Sequence, residues 1–337
     1  MTLKNIFSAL FFVVLVSSCA TDPLNVDTSN VKLELSFIHL DSVLNYTDST
    51  ELMSQHSQLQ KDIPDVYSYQ LGYCMQIQNP ADTTFYNAIS DYRQDTFIVR
   101  LERNIQEKFS DLTNTRKTLV EGFKHLKYHF PKQTMPNNIV FMNSLFSSSI
   151  WCSEKSIGIG LERYLGADNE CVQRLNPITF HEWIKADMDA QYMERDAVQG
   201  WIQTNLMEEV EGTLAEKIVY WGKMLQFTKA AYPEKEDYWI LRYTKEELEW
   251  AEENKHAFWK YLVDEKMLFE NNERNAMNML NPGPTTPGLP ESGGPDRLGQ
   301  YLGWLMVKSY LEQYDISMAE LLELPYNDIL QEFELGE

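Results

Sequence analysis

The sequence predicts a mostly helical α+β protein in which one small β-meander packs on the helices. Two observations support this fold class: apolar residues recur at helical spacing through most of the chain, and short apolar runs separated by turn residues are confined to about residues 138–165. The chain has 337 residues, of which 43% are hydrophobic, so it can bury a full core. Its formal net charge of −21 repels phosphates, which excludes nucleic acid as a partner on charge grounds.

The N-terminal segment is predicted to be removed before folding. Lys4 precedes an apolar run over residues 6–16, which would span only about 17 Å as a helix and is too short for a bilayer core of about 30 Å. This pattern is typical of a secretory signal. Small residues directly before Cys19 resemble a bacterial lipobox, so residues 1–18 are predicted to be a lipoprotein signal peptide and Cys19 the lipidated N-terminus. The alternative is an ordinary signal peptide with an incidental cysteine. Residues 19–30 are polar and are predicted to form a tether.

The next elements are distinguished by the period of their apolar residues. Residues 31–40 alternate apolar and polar side chains, which predicts a strand. Helical spacing predicts helices over 98–109 and 119–130, the second of which ends at Pro131. The apolar runs of the meander follow at 138–165.

The second half of the chain is predicted to be helical. Thr179 and Glu182 have the spacing of a capping box at the start of one helix, with Ile178 and Trp183 as its hydrophobic staple. Further helices are predicted over 192–202, over 214–227, after the cap Thr244, over 298–314 after the cap Asp296, and after the cap Ser317.

Two stretches of this half have a distinctive composition. The segment 214–227 is apolar on nearly every side, which is typical of a central buried helix. Residues 281–296 contain five prolines and four glycines and are predicted to form a long surface loop.

The Gly299-x-x-x-Gly303 spacing lies in a helix too polar for a membrane, so it indicates close packing of helices.

No histidine motif predicts a metal site. His181 begins a His-Glu pair, but Lys185 stands where the second histidine of a zinc-peptidase helix would be. His125 and His129 have the i,i+4 spacing of metal ligands but lack the glutamate. They are predicted to lie at a surface helix end, where an imidazolium favours the helix dipole.

The cysteines do not indicate a redox or zinc motif either. After Cys19, an odd number of cysteines remains, namely Cys74, Cys152 and Cys171, and none has C-x-x-C spacing. They are predicted to be buried, unpaired thiols. The sequence thus predicts no catalytic residues, no metal and no cofactor.

The order of several segments resembles a known family. They are the lipobox cysteine with the opening strand and Asp41, Lys127 to Pro131, Ile157 to Gly166, Tyr220 to Leu225, Tyr243-Thr244 with Trp250, Phe258 to Val263, and Pro295 to Tyr310. Together they resemble the gliding-motility lipoprotein family GldB of Bacteroidetes over essentially the whole mature chain.

The resemblance implies a fold and a cellular role. It implies one domain over 31–337, with an N-terminal helical part at 31–135 and a peptidase-like part at 136–325, in a degenerate zinc-peptidase-like architecture. The equivalent of the metal-binding helix, around 217–227, contains no histidine, so the metal site is expected to be lost. The implied role is that of a membrane-anchored, periplasm-facing envelope protein of the gliding and secretion machinery, whose partners are other envelope proteins.

The expected function is therefore non-enzymatic binding of partner proteins. A zinc metallopeptidase with unrecognised ligands and a solute-binding lipoprotein remain the alternatives. The candidate partner-binding surface is a cleft beside the edge strand of the meander. Residues 157–166 are predicted to be that edge, because Gly158 and Gly160 would not obstruct a neighbouring backbone. Leu289 and Arg297, in and after the long loop, are predicted to overhang the cleft.

Overall fold

The computed structural model describes residues 23–77, 84–288 and 294–335. The predicted signal peptide, Cys19 and Leu289 lie outside the described residues. Within them, no helix is long and apolar enough to cross a membrane.

A mixed four-stranded sheet lies at the centre of the fold. Its strands are β1 (Ser36–His39), β2 (Asn138–Met142), β3 (Ile150–Cys152) and β4 (Ser156–Gly160). They are arranged in the spatial order β1-β2-β4-β3. β1, β2 and β4 are parallel, and β3 is antiparallel to β4.

The α+β class is confirmed, but the meander topology is wrong. A meander pairs each strand antiparallel with the next one in sequence, whereas here β4 lies between β2 and β3. The predicted strand at 31–40 is also shorter, since only β1 has strand structure. Because β1 pairs with β2, the sheet joins the proposed N-terminal and peptidase-like parts of the chain. Apolar periodicity identifies strands but not their neighbours, which depend on long-range pairing.

Helices surround the sheet. The first group consists of α1 (Leu40–Tyr46), α2 (Ser49–Asp62), α3 (Pro64–Ser68), α4 (Thr84–Gln94), α5 (Thr96–Lys108) and α6 (Thr113–His129), with a π-helix at Tyr69–Cys74. The second group consists of α7 (Glu170–Gln173), α8 (Glu182–Ala186), α9 (Met193–Asn205), α10 (Leu214–Ala231), α11 (Asp237–Leu241), α12 (Lys245–Asp264), α13 (Glu273–Leu280), α14 (Leu298–Gln313), α15 (Met318–Glu323) and α16 (Tyr326–Gln331).

The sheet separates two hydrophobic cores. Successive side chains of a strand point to opposite faces, and β2 shows the consequence directly. Val140 and Met142 join a smaller core formed with α1 to α4. Ile139 and Phe141 join the main core, which the remaining helices build. Leu24 is also buried in the main core, so the predicted tether is docked on the domain from about this residue.

The centre of the main core is the crossing of α10 and α14. The prediction that 214–227 is a buried central helix is confirmed. A Cβ at Gly222 would lie 2.1 Å from the Gly303 carbonyl oxygen, and one at Gly303 would lie 1.9 Å from the Ile218 carbonyl oxygen. Both helices therefore need glycine at the crossing, and the close packing predicted from the glycine spacing is confirmed.

Two of the predicted helix caps are present and two are wrong. Thr244 and Ser317 form complete capping boxes. Thr179 does not cap α8, which begins at Glu182 after His181, and the proposed staple residue Ile178 is 81% exposed. Asp296 does not cap α14 either, because its carboxylate binds the Gly283 amide and the Arg297 guanidinium.

The true cap of α14 comes from the long loop. The Thr286 hydroxyl accepts a hydrogen bond of 3.1 Å from the Leu298 amide, the first amide of the helix. Thr286 is 6% exposed, so this part of the predicted surface loop is packed onto the domain.

The three cysteines and the histidines of α6 lie in buried or partly buried surroundings. The prediction of unpaired thiols is confirmed for Cys74, Cys152 and Cys171, of which Cys152 is half-buried. For His125 and His129, the expected imidazolium is wrong. Burial lowers the pKa of both rings, and each has a buried ring nitrogen without a hydrogen-bond partner in the described part of the chain.

Candidate functional site

The predicted sheet edge at Gly158 and Gly160 is interior. Both glycines belong to β4, which is paired with β2 on one side and with β3 on the other. A Cβ at Gly158 would lie 2.9 Å from the Met142 methyl carbon, and one at Gly160 would lie 2.3 Å from the Ser148 carbonyl oxygen. These glycines allow close packing inside the domain and do not present a strand to a partner.

The open edge beside the helices is β3. Ser149 and Ser153 are hydrogen-bonded to β4 through their backbones, and Trp151 pairs with Gly158. In an antiparallel pair, alternate residues face away from the partner strand. The backbones of Ile150 and Cys152 therefore point to the open side of the sheet. The Ile150 carbonyl oxygen already accepts a hydrogen bond of 2.5 Å from the Ser148 hydroxyl, so the Ile150 amide and both backbone groups of Cys152 are available to an extended peptide.

A cavity of about 340 Å³ lies directly beside this edge. Its walls come from β3, from α9, from Trp221 of α10, and from the segments that lead into α12 and α14. Ile150 and Cys152 of the strand line the cavity, and Pro282 and Arg297 line it too. The charged side chains in its lining are three arginines and one aspartate, namely Arg195, Arg242, Arg297 and Asp196. Because three of these four side chains are arginines, we call it the cationic cavity.

Arg195 is fixed by the helix α9 on which it lies. Its side chain is 3% exposed. Its Nε donates to the Ile240 carbonyl oxygen at 2.7 Å, and its Nη1 donates to Asp196 at 3.0 Å and to the Gln199 side-chain oxygen at 2.8 Å. Burial lowers the pKa of Arg195 to about 10, so the guanidinium remains charged at neutral pH.

Arg242 lies on the other side of Asp196. Its Nη1 is 3.4 Å from Asp196 Oδ2, and its guanidinium carbon lies 4.7 Å from the centre of the Tyr192 ring. Burial acts to lower the pKa of Arg242, but the carboxylates of Asp196 and Asp187 outweigh it and raise the pKa. The Arg242 Nε is buried and makes no hydrogen bond with the described residues.

Arg297 completes the row of guanidinium groups. Its Nε donates to Asp296 at 2.7 Å and its Nη2 donates to the Arg242 carbonyl oxygen at 3.3 Å. Its side chain is 8% exposed. Burial acts to lower the pKa of Arg297, but the charge of Asp296 outweighs it and raises the pKa.

Two of these arginines have an uncommon backbone conformation. Arg242 has φ of 57° and Arg297 has φ of 55°, in the left-handed region that costs a non-glycine residue roughly 1–2 kcal/mol. Such residues cluster at functional sites, where the surrounding structure holds them. Here the conformation lets both guanidinium groups reach the same cavity from adjoining segments.

The hydrogen bonds of this cluster leave donors for a ligand. Asp196 accepts from Arg195 and Tyr164 and contacts Arg242, so it is fully engaged. Gln199 Nε2 and Arg242 Nε are buried without a partner among the described residues. The cavity can therefore bind an anion by charge and by hydrogen bonds.

A second polar centre lies at the carboxyl ends of the parallel strands. Asp41 follows β1, Asn143 follows β2 and Glu162 follows β4, and Glu102 of α5 lies next to them with a hydrogen bond of 2.6 Å from Asn143 Nδ2. Asp41, Glu102 and Glu162 are each no more than 2% exposed. One carboxylate oxygen of each is buried without a hydrogen-bond partner in the described part of the chain.

The electrostatics of this second centre favour the neutral form of its two glutamates. Burial raises the pKa of Glu102 to about 8, and the charges of Asp41 and Glu162 also raise it, against the lowering effect of the Asn143 hydrogen bond. Burial likewise raises the pKa of Glu162. Glu102 also lines a cavity of about 570 Å³ whose apolar wall includes Tyr46, Ile98 and Val99. The described residues contain no group of three or more His, Cys, Asp or Glu side chains that could hold a metal ion.

The structure brings only part of the predicted site together. Pro282, in the long loop, and Arg297, directly after it, line the cationic cavity. Gly158 and Gly160 lie within the sheet, and Cys19 and Leu289 are outside the described residues. Sequence reasoning missed Arg195 and Arg242. A detectable signal exists for Arg195, because it shares the apolar stripe of α9 with Val198 and Ile202.

The fold and this site define a class of protein: a mostly helical α+β domain with a cationic cleft beside an open sheet edge. The family model described as gliding motility protein GldB matches residues 21–334, and the chain belongs to this family. It is therefore a gliding-motility-associated lipoprotein. Searches of curated proteins and of solved structures find no match.

Proposed function

We propose that this protein acts in the cell envelope by binding an extended segment of a partner protein in the cleft beside β3, without catalysis. The partner belongs to the gliding or associated secretion machinery. The observation that carries the proposal is the combination of outward-facing backbone groups at Ile150 and Cys152 with a cavity lined by three arginines. An edge strand supplies main-chain hydrogen bonds to a peptide, and a flanking pocket supplies selectivity.

The position of the cleft relative to the N-terminus supports this role. Pro23 and Leu24 line a pocket together with Leu311 and Met318, at the C-terminal end of α14. Arg297 lies at the other end of that helix, which has sixteen residues and so spans about 24 Å. The cleft is thus separated from the point where the chain emerges toward its anchor.

We propose that the anchor is Cys19, which is lipidated after removal of residues 1–18. Cys19 is four residues before Pro23, so the connecting chain reaches at most about 14 Å. The domain would then lie close to the membrane surface with the cleft directed away from it, on the periplasmic side. More than one acyl chain is needed for stable anchoring of this kind.

The test is photo-cross-linking in the native cell. A photoreactive amino acid is placed at Gln203, which lines the cleft and is exposed, and the matched control position is Met53 on α2, which is 55% exposed. The expected result is a cross-link from Gln203 to one defined envelope protein of the motility or secretion machinery. The linked peptide is mapped by mass spectrometry. No such product is expected from Met53.

Two results would contradict the proposal. One is that both positions cross-link the same proteins in equal yield, which indicates non-specific contact. The other is that Gln203 cross-links no envelope protein although the cells glide normally, which shows that the cleft is not used for binding.

A further inference from the structure

We propose that the cationic cavity binds a carboxylate group of the partner segment that pairs with β3. The carboxylate comes either from the free C-terminus of that segment or from an acidic side chain within it. This inference rests on the proposed function and names the chemistry that the cleft recognises.

Residues that line the cavity carry N–H donors that an anion can engage. Nη2 of Arg195 and Nη1 of Arg297 make no hydrogen bond with the described residues. Gln199 Nε2 and Arg242 Nε are also without a partner there. Guanidinium groups bind carboxylates through paired N–H donors, and a bond to a charged acceptor is about twice as strong as a neutral one.

The internal carboxylates do not satisfy these donors. Asp196 is already bound by Arg195, Arg242 and Tyr164. Asp296 is bound by Arg297 and by the Gly283 amide, and it does not line the cavity. The lining therefore contains three arginines and one carboxylate, and Asp187 and Asp296 next to them balance the remaining positive charge. Binding of an anion thus depends on the free N–H donors and not on a net positive charge.

The sheet edge explains why the anion is expected on an extended peptide. Ile150 and Cys152 line the same cavity as the arginines. A peptide that pairs with β3 thus carries its end or its side chains alongside the guanidinium groups. With about 340 Å³, the cavity accommodates a carboxylate together with one or two residues but not a folded domain.

The decisive variant is Gln199→Glu. The new carboxylate takes the place of the unpartnered amide nitrogen, beside the Arg195 guanidinium, and so occupies the anion site from within. Arg195 Nη1 already donates to the Gln199 side-chain oxygen, so the variant is expected to fold with a salt bridge in place of this hydrogen bond. The matched control is Gln313→Glu, which adds the same charge at an exposed position on α14. Urea unfolding of both variants is measured so that a folding defect is recognised.

The probe is an acetylated tetrapeptide of alternating threonine and valine that carries a fluorophore. Its affinity for the purified full chain in detergent is measured by fluorescence anisotropy. Three forms are compared: the free C-terminal acid, the C-terminal amide, and an amide with one internal aspartate. The acid or the aspartate form is expected to bind at least about tenfold more tightly than the plain amide. Gln199→Glu is expected to remove this difference, and Gln313→Glu to retain it.

The outcomes separate this inference from the proposed function. If all three peptides bind equally and compete with the cross-linked partner, the edge binds peptides but the carboxylate inference is wrong. If inorganic phosphate binds as tightly as the acid peptide, the cavity is a general anion site, and the inference is overturned. If only the acid form gains affinity, the source of the carboxylate is a chain end, and if only the aspartate form gains, it is a side chain.

Discussion

Glu102 provides a stability prediction that can be calculated from its surroundings. The substitution Glu102→Gln replaces a buried carboxyl by a neutral side chain of nearly the same shape, which keeps an oxygen for the 2.6 Å hydrogen bond from Asn143. Glu102 has a pKa of about 8 in the fold against an ordinary value of 4.5. Between these pH values the folded protein binds more protons than the unfolded chain, so its stability falls as the pH rises.

The magnitude follows from the two pKa values. Each pH unit in this window changes the free energy of unfolding by about 1.4 kcal/mol. Glu102 alone therefore lowers the stability of the native sequence by roughly 4 kcal/mol between pH 5 and pH 9, and the loss levels off above pH 8. The Gln variant has no charge to bury at this position. It is expected to match the native sequence near pH 4 and to be more stable above pH 7.

The assay is urea unfolding of the full chain in detergent, followed by tryptophan fluorescence at each pH unit from 4 to 9. Glu107→Gln is the matched control, because Glu107 is an exposed carboxyl on the same helix. The difference in free energy of unfolding between this control and the native sequence is expected to be the same at every pH. Asp187, whose pKa is also raised by burial, lies in the arginine cluster and affects both proteins alike. Parallel stability curves for the native and Glu102→Gln proteins would refute the reasoning.

Three further predictions follow from packing and anchoring. Gly222→Ala forces α10 away from the backbone of α14 and should lower the free energy of unfolding by about 1–3 kcal/mol. The control Gly72→Ala should leave it unchanged, because nothing lies within 4 Å of the added carbon. Equal unfolding midpoints in urea for the two variants would contradict this. Thr286→Ala removes the cap of α14 and should cost about 1 kcal/mol by the same assay, with the exposed neighbour changed in Thr285→Ala as a control that stays near the native value. Cys19→Ala should release the protein from the membrane fraction or leave an uncleaved precursor, as measured by fractionation and mass spectrometry. A processed form without lipid that still sediments with membranes would disprove the anchor.

The features that local sequence determines were predictable. The apolar run at 214–227, the capping boxes at Thr244 and Ser317, and the glycine spacing in α14 all depend on residues within one or two helical turns. Each of these predictions is confirmed. The strand order could not be predicted in the same way, because β2 pairs with a strand that begins eighteen residues later in the sequence and skips β3.

The cap of α14 shows the same limit. Asp296 has the residue type and position of an N-cap, but its carboxylate is taken by Gly283 and Arg297. Thr286 caps the helix from twelve residues away. Residue type and position next to a helix do not predict whether that residue or one from a distant part of the loop will cap it.

The candidate site was the least predictable part of the molecule. Arg195, Arg242 and Arg297 lie about fifty residues apart and form no motif, so only the fold brings them together. One signal was available in the sequence. Arg195 on α9 and Glu102 on α5 each interrupt an apolar stripe of an amphipathic helix, and both are buried in polar clusters. A charged residue on an apolar face is thus informative, because burial of a charge requires partners.

Hydrogen exchange at the sheet edge tests the central claim most directly. The full chain is measured with and without saturating acid tetrapeptide, and exchange is followed at the amides of Ile150, Trp151 and Cys152. The account predicts that exchange slows at Ile150 and Cys152, whose backbones face the open side, while Trp151, which pairs with Gly158, changes little. Unchanged exchange at Ile150 and Cys152 while the peptide is bound would show that it does not pair with β3, which contradicts the account.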